Sequence, residues 1–532
     1  MILDKDLLSI QEARDLSRKA HEAQQEYKHF TQKQVDKIIK AMADAGYSAS
    51  ERLAKMACDE SGFGNLQDKI TKNQFSTKNV YESIKNLRTV GIVGEEAAGK
   101  VLKIAVPMGV VAALVPSTNP TSTAMFKAII SLKGRNALVA SPHPRTAKCT
   151  AEALKVVSDA AEAAGAPKGL IQCISTPTLE GTGELMHDKN IAIILATGST
   201  PMVKAAYSAG KPAYGVGSGN VPAFIERTAD VKKAIADIIY GTTFDNGTLC
   251  SSEQSIIVDE PVKDKAIEEI KNRGGYFVTA EEKRKLEKAI QTNFRINPEI
   301  VGQPAKFIAE YAGFKVPENT KVLIAGCYEV GKNEPLSMEK LSPILAFYTV
   351  NGWLEGCHRC IDLLKFGGIG HTMVIHSNDQ PIIMKFALEK PAFRILVNTV
   401  ASLGAVGYTT ALDPSMTLGP GTWGGSIVSE NVTAKHLINI KCLAFETLTI
   451  NEGKTVKGFD VQKSKYVTDP FMKDIEERLK ARAGNPPLKD TYQYNIEKPK
   501  LQKNDHPKPK GKVQFGKGIS EEEILKIIES FE

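Results

Sequence analysis

An open α/β architecture, with parallel sheets covered on both faces by helices, is the fold class this sequence predicts. Three observations predict it. Short apolar runs without polar alternation, such as Val110 to Val115 and Ile191 to Ala196, alternate with segments of helical periodicity, the pattern of strands buried on both faces. Polar turns close these runs: Pro116-Ser117-Thr118-Asn119-Pro120, Ser141-Pro142-His143-Pro144-Arg145 and Ala196-Thr197-Gly198-Ser199. Such turns at strand ends are where α/β sheets place ligand contacts. Finally, 532 residues with 42% hydrophobic and 24% charged content exceed one core while keeping ordinary globular composition, so two or three domains are expected.

Residues 1 to about 90 read as helical, with few Gly or Pro breaks and no visible chemistry,. Strands are expected at 110–115, 136–140, 170–175 and 191–196, with helices at 124–132, 146–164 and 201–209 between them. Together, residues 1–226 form N-terminal helices and a nucleotide-binding domain. A second α/β segment, 227–408, carries strand candidates at 255–258, 321–325, 344–350 and 373–375 and is expected to be catalytic. Residues 409–455 are a return segment whose strand, 437–444, is expected to pair with another subunit. A Lys/Pro-rich linker, 456–518, follows. From Glu497 to Gly518 it holds seven lysines against two acids, most of the net charge of +7, so no basic groove for nucleic acid is implied. Ser520 with Glu523 forms a capping box, and Ile524, Leu525, Ile527, Ile528 and Phe531 one apolar stripe, so 519–532 is expected to be an amphipathic helix.

No apolar run is long enough to span a bilayer and no secretory leader is visible at Met1, so a cytoplasmic location is expected. The eight cysteines show no disulfide framework,. Cys357-His358-Arg359-Cys360 has Cys-x-x-Cys spacing but no second pair and falls in an amphipathic helix, so no metal site is expected.

Cys250, in Asp245-Asn246-Gly247-Thr248-Leu249-Cys250-Ser251-Ser252, follows a glycine-containing loop that suits a nucleophile, although a single cysteine is by itself more often inert core. Asn119 is able to donate its amide to an oxyanion. Gly215-Val216-Gly217-Ser218-Gly219-Asn220-Val221-Pro222 is glycine-rich, yet no Gly-x-Gly-x-x-Gly turn follows the first strand.

Taken together with Glu339-Lys340-Leu341-Ser342-Pro343, Gly367-Gly368-Ile369-Gly370-His371-Thr372 and Arg394-Ile395-Leu396-Val397-Asn398, these segments resemble the aldehyde dehydrogenase superfamily. More closely, residues 5 to 450 resemble the aldehyde dehydrogenase half of bifunctional aldehyde-alcohol dehydrogenases and their CoA-acylating relatives. The resemblance implies a Rossmann-like cofactor domain, an α/β catalytic domain and a β oligomerisation flap. It implies Cys250 as nucleophile and Asn119 with the Cys250 N–H as oxyanion hole. For the cofactor it implies Ser117, Thr118, Thr197, Gly198 and Ser199 along its length, His143 and Pro144 at the adenosine end, Gly215 and Gly217 in the glycine loop, and Glu339 at the nicotinamide ribose. His371 stays open between a functional and a packed role. NAD is the expected cofactor, with NADP the alternative because Arg145 is able to favour its phosphate. Coenzyme A is the co-substrate, the partners are a small aldehyde and a second copy of the chain, and no nucleic acid or membrane is expected.

Hydrolytic relatives carry a glutamate base where this chain has Gly215, so the resemblance implies a thioester that waits for CoA rather than water. The alternatives are a hydrolytic or semialdehyde-phosphate dehydrogenase and a non-catalytic scaffold. The 519–532 segment resembles microcompartment encapsulation peptides, which implies a shell-protein partner; docking on the enzyme itself is the other outcome. The alcohol dehydrogenase domain of the bifunctional relatives is not visible, so a separate enzyme is expected to make alcohol.

Overall fold

The computed structural model describes residues 4–293 and 295–450. The segment 519–532, expected to be an encapsulation-like helix, and the whole of the Lys/Pro linker 456–518 lie outside these residues. The N-terminal segment is helical, as its patterning requires: Lys5–Tyr27, Gln32–Ser48, Ser50–Ser61, Leu66–Gln74 and Val80–Ile84. Side-chain caps open the first, second and fourth of these helices. Asp4 accepts from the Asp6 N–H, Thr31 forms a full capping box with Gln34, and Asn65 accepts from the Asp68 N–H,.

Five parallel strands follow in the spatial order Ile171–Cys173, Ala137–Pro142, Val110–Val115, Ile191–Thr197, Ala213–Val216. Chain order reverses direction at Val110–Val115, which opens a crevice between it and Ile191–Thr197 at the carboxyl ends of both strands. Both strands are apolar and buried along nearly their whole length. Beneath the crevice the fully buried Lys127 donates to the carbonyls of Leu114 and Leu195, at 2.7 and 2.9 Å, and so ties the two strands together. With no acid beside it among the described residues, burial pushes its amine down to about 7,.

A seven-stranded parallel sheet runs in the order Gly275–Phe277, Val322–Gly326, Ile344–Val350, Glu253–Asp259, Val221–Ile225, Gly370–His376, Ala392–Val397. Its strand Val221–Ile225 lies ahead of the domain boundary expected after residue 226, because a continuous apolar run joined to a glycine loop does not announce which sheet it enters. Cys357 and Cys360 are buried free thiols on the helix Trp353–Phe366.

The return strand forms where the sequence places it, and one of its two edges is taken by its own chain. Ile438–Ala444 pairs antiparallel with Val101–Pro107 of its own chain, in a three-stranded sheet completed by Gly91–Glu96. The hairpin 91–107 was not foreseen, since Lys103 and the loop at Ala97-Ala98-Gly99 mask its alternation. Asn136 anchors this return: its Nδ2 donates to the Leu437 carbonyl at 2.7 Å and its Oδ1 accepts from the N–H groups of Met108 and Gly109. Within the described residues Ile438–Ala444 is an edge strand, with Ile440 and Leu443 exposed, the kind of edge that a second chain covers. No helix among the described residues is long and apolar enough to cross a membrane.

Candidate active site

Cys250 lies in a turn that joins two very different pieces of backbone. Ahead of it the helix Val231–Thr243 gives way to a tight turn at Phe244–Gly247, where Asp245 and Asn246 take left-handed backbone angles, φ 48° and 52°. Behind it the strand Glu253–Asp259 enters the seven-stranded sheet. The turn closes through the Ser252 N–H donating to the Leu249 carbonyl at 2.9 Å. Cys250 thereby sits at the amino end of its strand and keeps partial solvent exposure.

Two neighbouring strands bring their own amino ends to the same place. The loop before Val221–Ile225 carries Gly219, whose Cα packs so closely on the Cys250 carbonyl that a Cβ would overlap it. The strand Gly370–His376 opens with His371, fully buried, its Nε2 at 3.2 Å from Cys250 Sγ. The other ring nitrogen, Nδ1, lies 2.9 Å from Thr372 Oγ1, and Thr372 Oγ1 accepts from Arg394 Nε at 3.3 Å. Arg394 is itself buried and spends its remaining donors on the carbonyls of Gly419, at 2.6 Å, and Ser429, at 3.3 Å. Among the described residues no carboxylate pairs with it. The order is thus thiol, imidazole, hydroxyl, guanidinium.

Burial dominates the electrostatics of this row. It pushes the Cys250 thiol up to about 12, with Glu339 adding to the rise and Arg394 opposing it. Burial, and after it the Arg394 charge, push His371 down to about 3. At neutral pH the resting pair is therefore a thiol beside a neutral imidazole. When Nδ1 carries the proton and donates to Thr372, Nε2 is an acceptor aimed at the thiol. The Arg394 guanidinium, lowered only to about 10 by burial, stays charged and favours the thiolate form of Cys250,.

Asn119 reaches the same turn from the opposite sheet. Its Nδ2 lies 3.3 Å from the carbonyl of Thr248, two residues before Cys250, and its Oδ1 accepts from Lys72 Nζ at 2.6 Å. Lys72 also contacts Asp245, as does Lys69 at 3.0 Å. Lys69, Lys72 and Asp245 carried no sequence signal: lysines spaced three apart on a helix normally read as a solvated face.

The cofactor candidates gather at the carboxyl ends of the five-stranded sheet. Ser117 and Thr118 follow Val110–Val115, His143 and Pro144 follow Ala137–Pro142, and Thr197, Gly198 and Ser199 close Ile191–Thr197. Thr197 Oγ1 is buried and has no hydrogen-bond partner among the described residues, as expected of a hydroxyl kept for a ligand. A Cβ at Gly198 would meet nothing nearer than 4.0 Å, and one at Gly217 nothing nearer than 3.6 Å. These residues therefore fit a dinucleotide lying across the crevice. His143 Nδ1 accepts from the Arg145 N–H at 3.1 Å, and the Arg145 guanidinium lies 4.8 Å over the Phe63 ring. Glu339 closes the other side, its Oε1 accepting from the Gly219 N–H at 2.9 Å while burial pushes its carboxyl up to about 7.

Gly215 differs from the other glycines. It lies within the strand Ala213–Val216, and a Cβ there would stand 2.5 Å from Val203 Cγ1 and 2.6 Å from the Tyr207 hydroxyl. That hydroxyl accepts from the Gly215 N–H at 2.9 Å and lies 3.2 Å from its carbonyl. No side chain fits at 215 without displacing both neighbours. Among the described residues no group of three His, Cys, Asp or Glu side chains could hold a metal ion.

Residues 6–339 match the model of the aldehyde dehydrogenase family. The bifunctional aldehyde-alcohol dehydrogenase of Escherichia coli is 47% identical over 441 residues, 82% of this chain and 50% of that protein. The chain spans about half the length of the first curated relatives it matches. An acetylating aldehyde dehydrogenase from Geobacillus thermoglucosidasius superposes with a TM-score of 0.83 at 50% identity, covering 85% of this chain and 100% of that one. A propionaldehyde dehydrogenase from the Clostridium phytofermentans fucose utilisation bacterial microcompartment superposes with a TM-score of 0.74 at 28% identity, covering 83% and 99%.

Proposed function

The chain belongs to the aldehyde dehydrogenase family, and on that premise we propose that it oxidises a short aliphatic aldehyde onto coenzyme A with NAD, reversibly, through a thioester on Cys250. The packing at Gly215 carries the acylating rather than hydrolytic outcome. The resemblance puts the water-activating glutamate of hydrolytic relatives at this position, and Val203 with Tyr207 leaves no room for one. Without a positioned base, water attack on the thioester is slow, and a thiol is the better nucleophile.

His371 Nε2 takes the Cys250 proton as the sulfur bonds to the aldehyde carbon, while Thr372 holds Nδ1 and the Arg394 charge favours the thiolate. Asn119 Nδ2 and the Cys250 N–H donate to the oxygen that becomes negative. Nicotinamide, when bound along Thr197, Gly198 and Glu339, supplies the two-electron oxidant that turns this adduct into the acyl-cysteine. The proton on His371 is lost to solvent, leaving the ring neutral again. CoA then enters; His371 accepts the CoA thiol proton as the CoA sulfur bonds to the acyl carbon. The carbon–sulfur bond to Cys250 breaks, and His371 returns its proton to the leaving sulfur. Overall, aldehyde, CoA and NAD give acyl-CoA, NADH and one proton.

The acetylating and propionaldehyde-type relatives support a short-chain substrate, and the exposed edge strand Ile438–Ala444 supports a homo-oligomer. The microcompartment relative supports a shell-protein partner for 519–532 and a location inside such a compartment. Replacing Cys250 by Ala is expected to abolish acyl-CoA formation and the reverse reduction alike, followed by NADH absorbance with acetaldehyde and propionaldehyde. Acyl-CoA formation retained by Cys250→Ala would overturn the proposal.

A further inference from the structure

Asn119 heads the helix Pro120–Lys133, where an asparagine side chain ordinarily accepts from the N–H groups of the first turn. Here it makes no such bond. Its Oδ1 instead accepts from Lys72 Nζ at 2.6 Å, and its Nδ2 faces the Thr248 carbonyl at 3.3 Å and Thr118 Oγ1 at 3.1 Å. An ammonium has donors and no acceptor. Lys72 therefore permits only one of the two amide orientations, the one that turns the N–H groups toward the turn leading to Cys250.

Lys72 is buried on the helix Leu66–Gln74 and is itself held in place. Its Nζ contacts Asp245 Oδ2 and reaches Thr248 Oγ1 at 3.3 Å. Asp245 is fully buried, and its carboxylate also accepts from Lys69 Nζ at 3.0 Å, Thr248 Oγ1 at 2.5 Å and the Asn65 N–H at 2.9 Å. Burial opposes its ionisation, yet Lys72 and Lys69 hold the carboxyl below its usual range. Asp245 takes this place at a backbone cost, with φ at 48° followed by 52° at Asn246, angles that non-glycine residues rarely adopt. Gly64, at φ +72°, lies where a Cβ would collide with the Asp245 carboxylate. Strain of this kind persists where surrounding structure over-determines it, and here it lies five residues before Cys250.

We propose that Lys72 is a positioning residue of the acylation site: anchored by Asp245, it fixes the Asn119 carboxamide with its donors toward the Cys250 turn. Asp245 lies in the nucleophile's own turn, so one carboxylate sets both the sulfur and the oxyanion donor, and the two cannot drift independently. The inference rests on the acylating function proposed above, and it adds residues that act through Asn119 without touching substrate.

A double-mutant cycle on the full chain tests it, with wild type, Lys72→Met, Asn119→Ala and the double variant compared by CoA-dependent NADH formation and by melting temperature. Misplacing one oxyanion donor costs on the order of 10²-fold in kcat. Lys72→Met is expected to show a loss of that order with KM for CoA changed less than about twofold, since Lys72 is buried behind Asn119 and Asp245,. In the Asn119→Ala background the same substitution is expected to cost less than about threefold further, because the group it positions is gone. Losses that multiply, or a Lys72→Met variant as fast as wild type, would overturn the role of Lys72. Where Lys72→Met does not fold, Lys72→Gln carries the test. It keeps a donor toward Oδ1 and is expected within about tenfold of wild type, whereas a kcat as low as that of Asn119→Ala would overturn the proposal. A wild-type chain with no CoA-dependent NADH formation would overturn the acylating function itself, an outcome distinct from all of these.

Discussion

The two parallel sheets serve the site from opposite ends. The five-stranded sheet offers the carboxyl ends of its strands, where Thr118, Asn119, Thr197 and Gly198 stand on polar turns and Thr197 keeps an unpartnered hydroxyl. The seven-stranded sheet offers amino ends, where Cys250, Gly219 and His371 enter their strands already buried or nearly so. The first rim has the open backbone and spare donors that bind a ligand. The second has titratable groups in mutual contact and displaced far from their ordinary pKa values, which suits proton transfer. Binding and chemistry are divided between the sheets, and Asn119 is the residue that crosses from one rim to the other.

Substitutions at each rim separate these roles. At the catalytic rim, His371→Asn keeps a polar side chain but removes the proton acceptor beside Cys250. It is expected to lower kcat by about 10²- to 10⁴-fold, with cofactor affinity unchanged by fluorescence titration. A large loss of cofactor binding with kcat retained would reverse the division. Further from the sulfur, Arg394→Met removes a charge that favours the thiolate. Alkylation of Cys250 by iodoacetamide is expected to slow by about tenfold or more. Because the thiol stands near 12, wild-type alkylation is expected to rise about tenfold per pH unit between pH 7 and 9, as the thiolate fraction does. A plateau below pH 8 would contradict the raised thiol.

The cofactor rim should respond in stability. Gly215→Ala forces a methyl against Val203 and Tyr207 and is expected to cost about 1–3 kcal/mol by overpacking. A melt that is unchanged would show that the strand has room, and would remove the steric reason for the missing base.

The sequence made the first rim far more legible than the second. Turns such as Pro116 to Pro120 and Ala196 to Ser199 follow apolar strands, and the rule that ligands gather at carboxyl ends reads them directly. No comparable rule points to amino ends, so His371 entered only through resemblance and with its role open. Lys72 was invisible for another reason. A helix of mean polar character, Leu66–Gln74, shows its lysines as a wet face, and only the position of Asp245 nearly 180 residues away turns them inward. Arg394 sat in a quoted motif without a role, because nothing local shows that its partners are carbonyls and a threonine hydroxyl rather than a carboxylate. The return strand was legible as a strand at 437–444, but its intrachain neighbour, the hairpin strand Val101–Pro107, was not.

The waiting thioester is the centre of the account, and rapid mixing of the full chain with aldehyde and NAD tests it most directly. Without CoA, NADH is expected to appear as a burst of about one equivalent per Cys250 and then stall, with steady turnover restored on adding CoA. Undiminished steady NADH formation in the absence of CoA would contradict it, because water would then be resolving the acyl-cysteine that the closed Gly215 strand is held to protect.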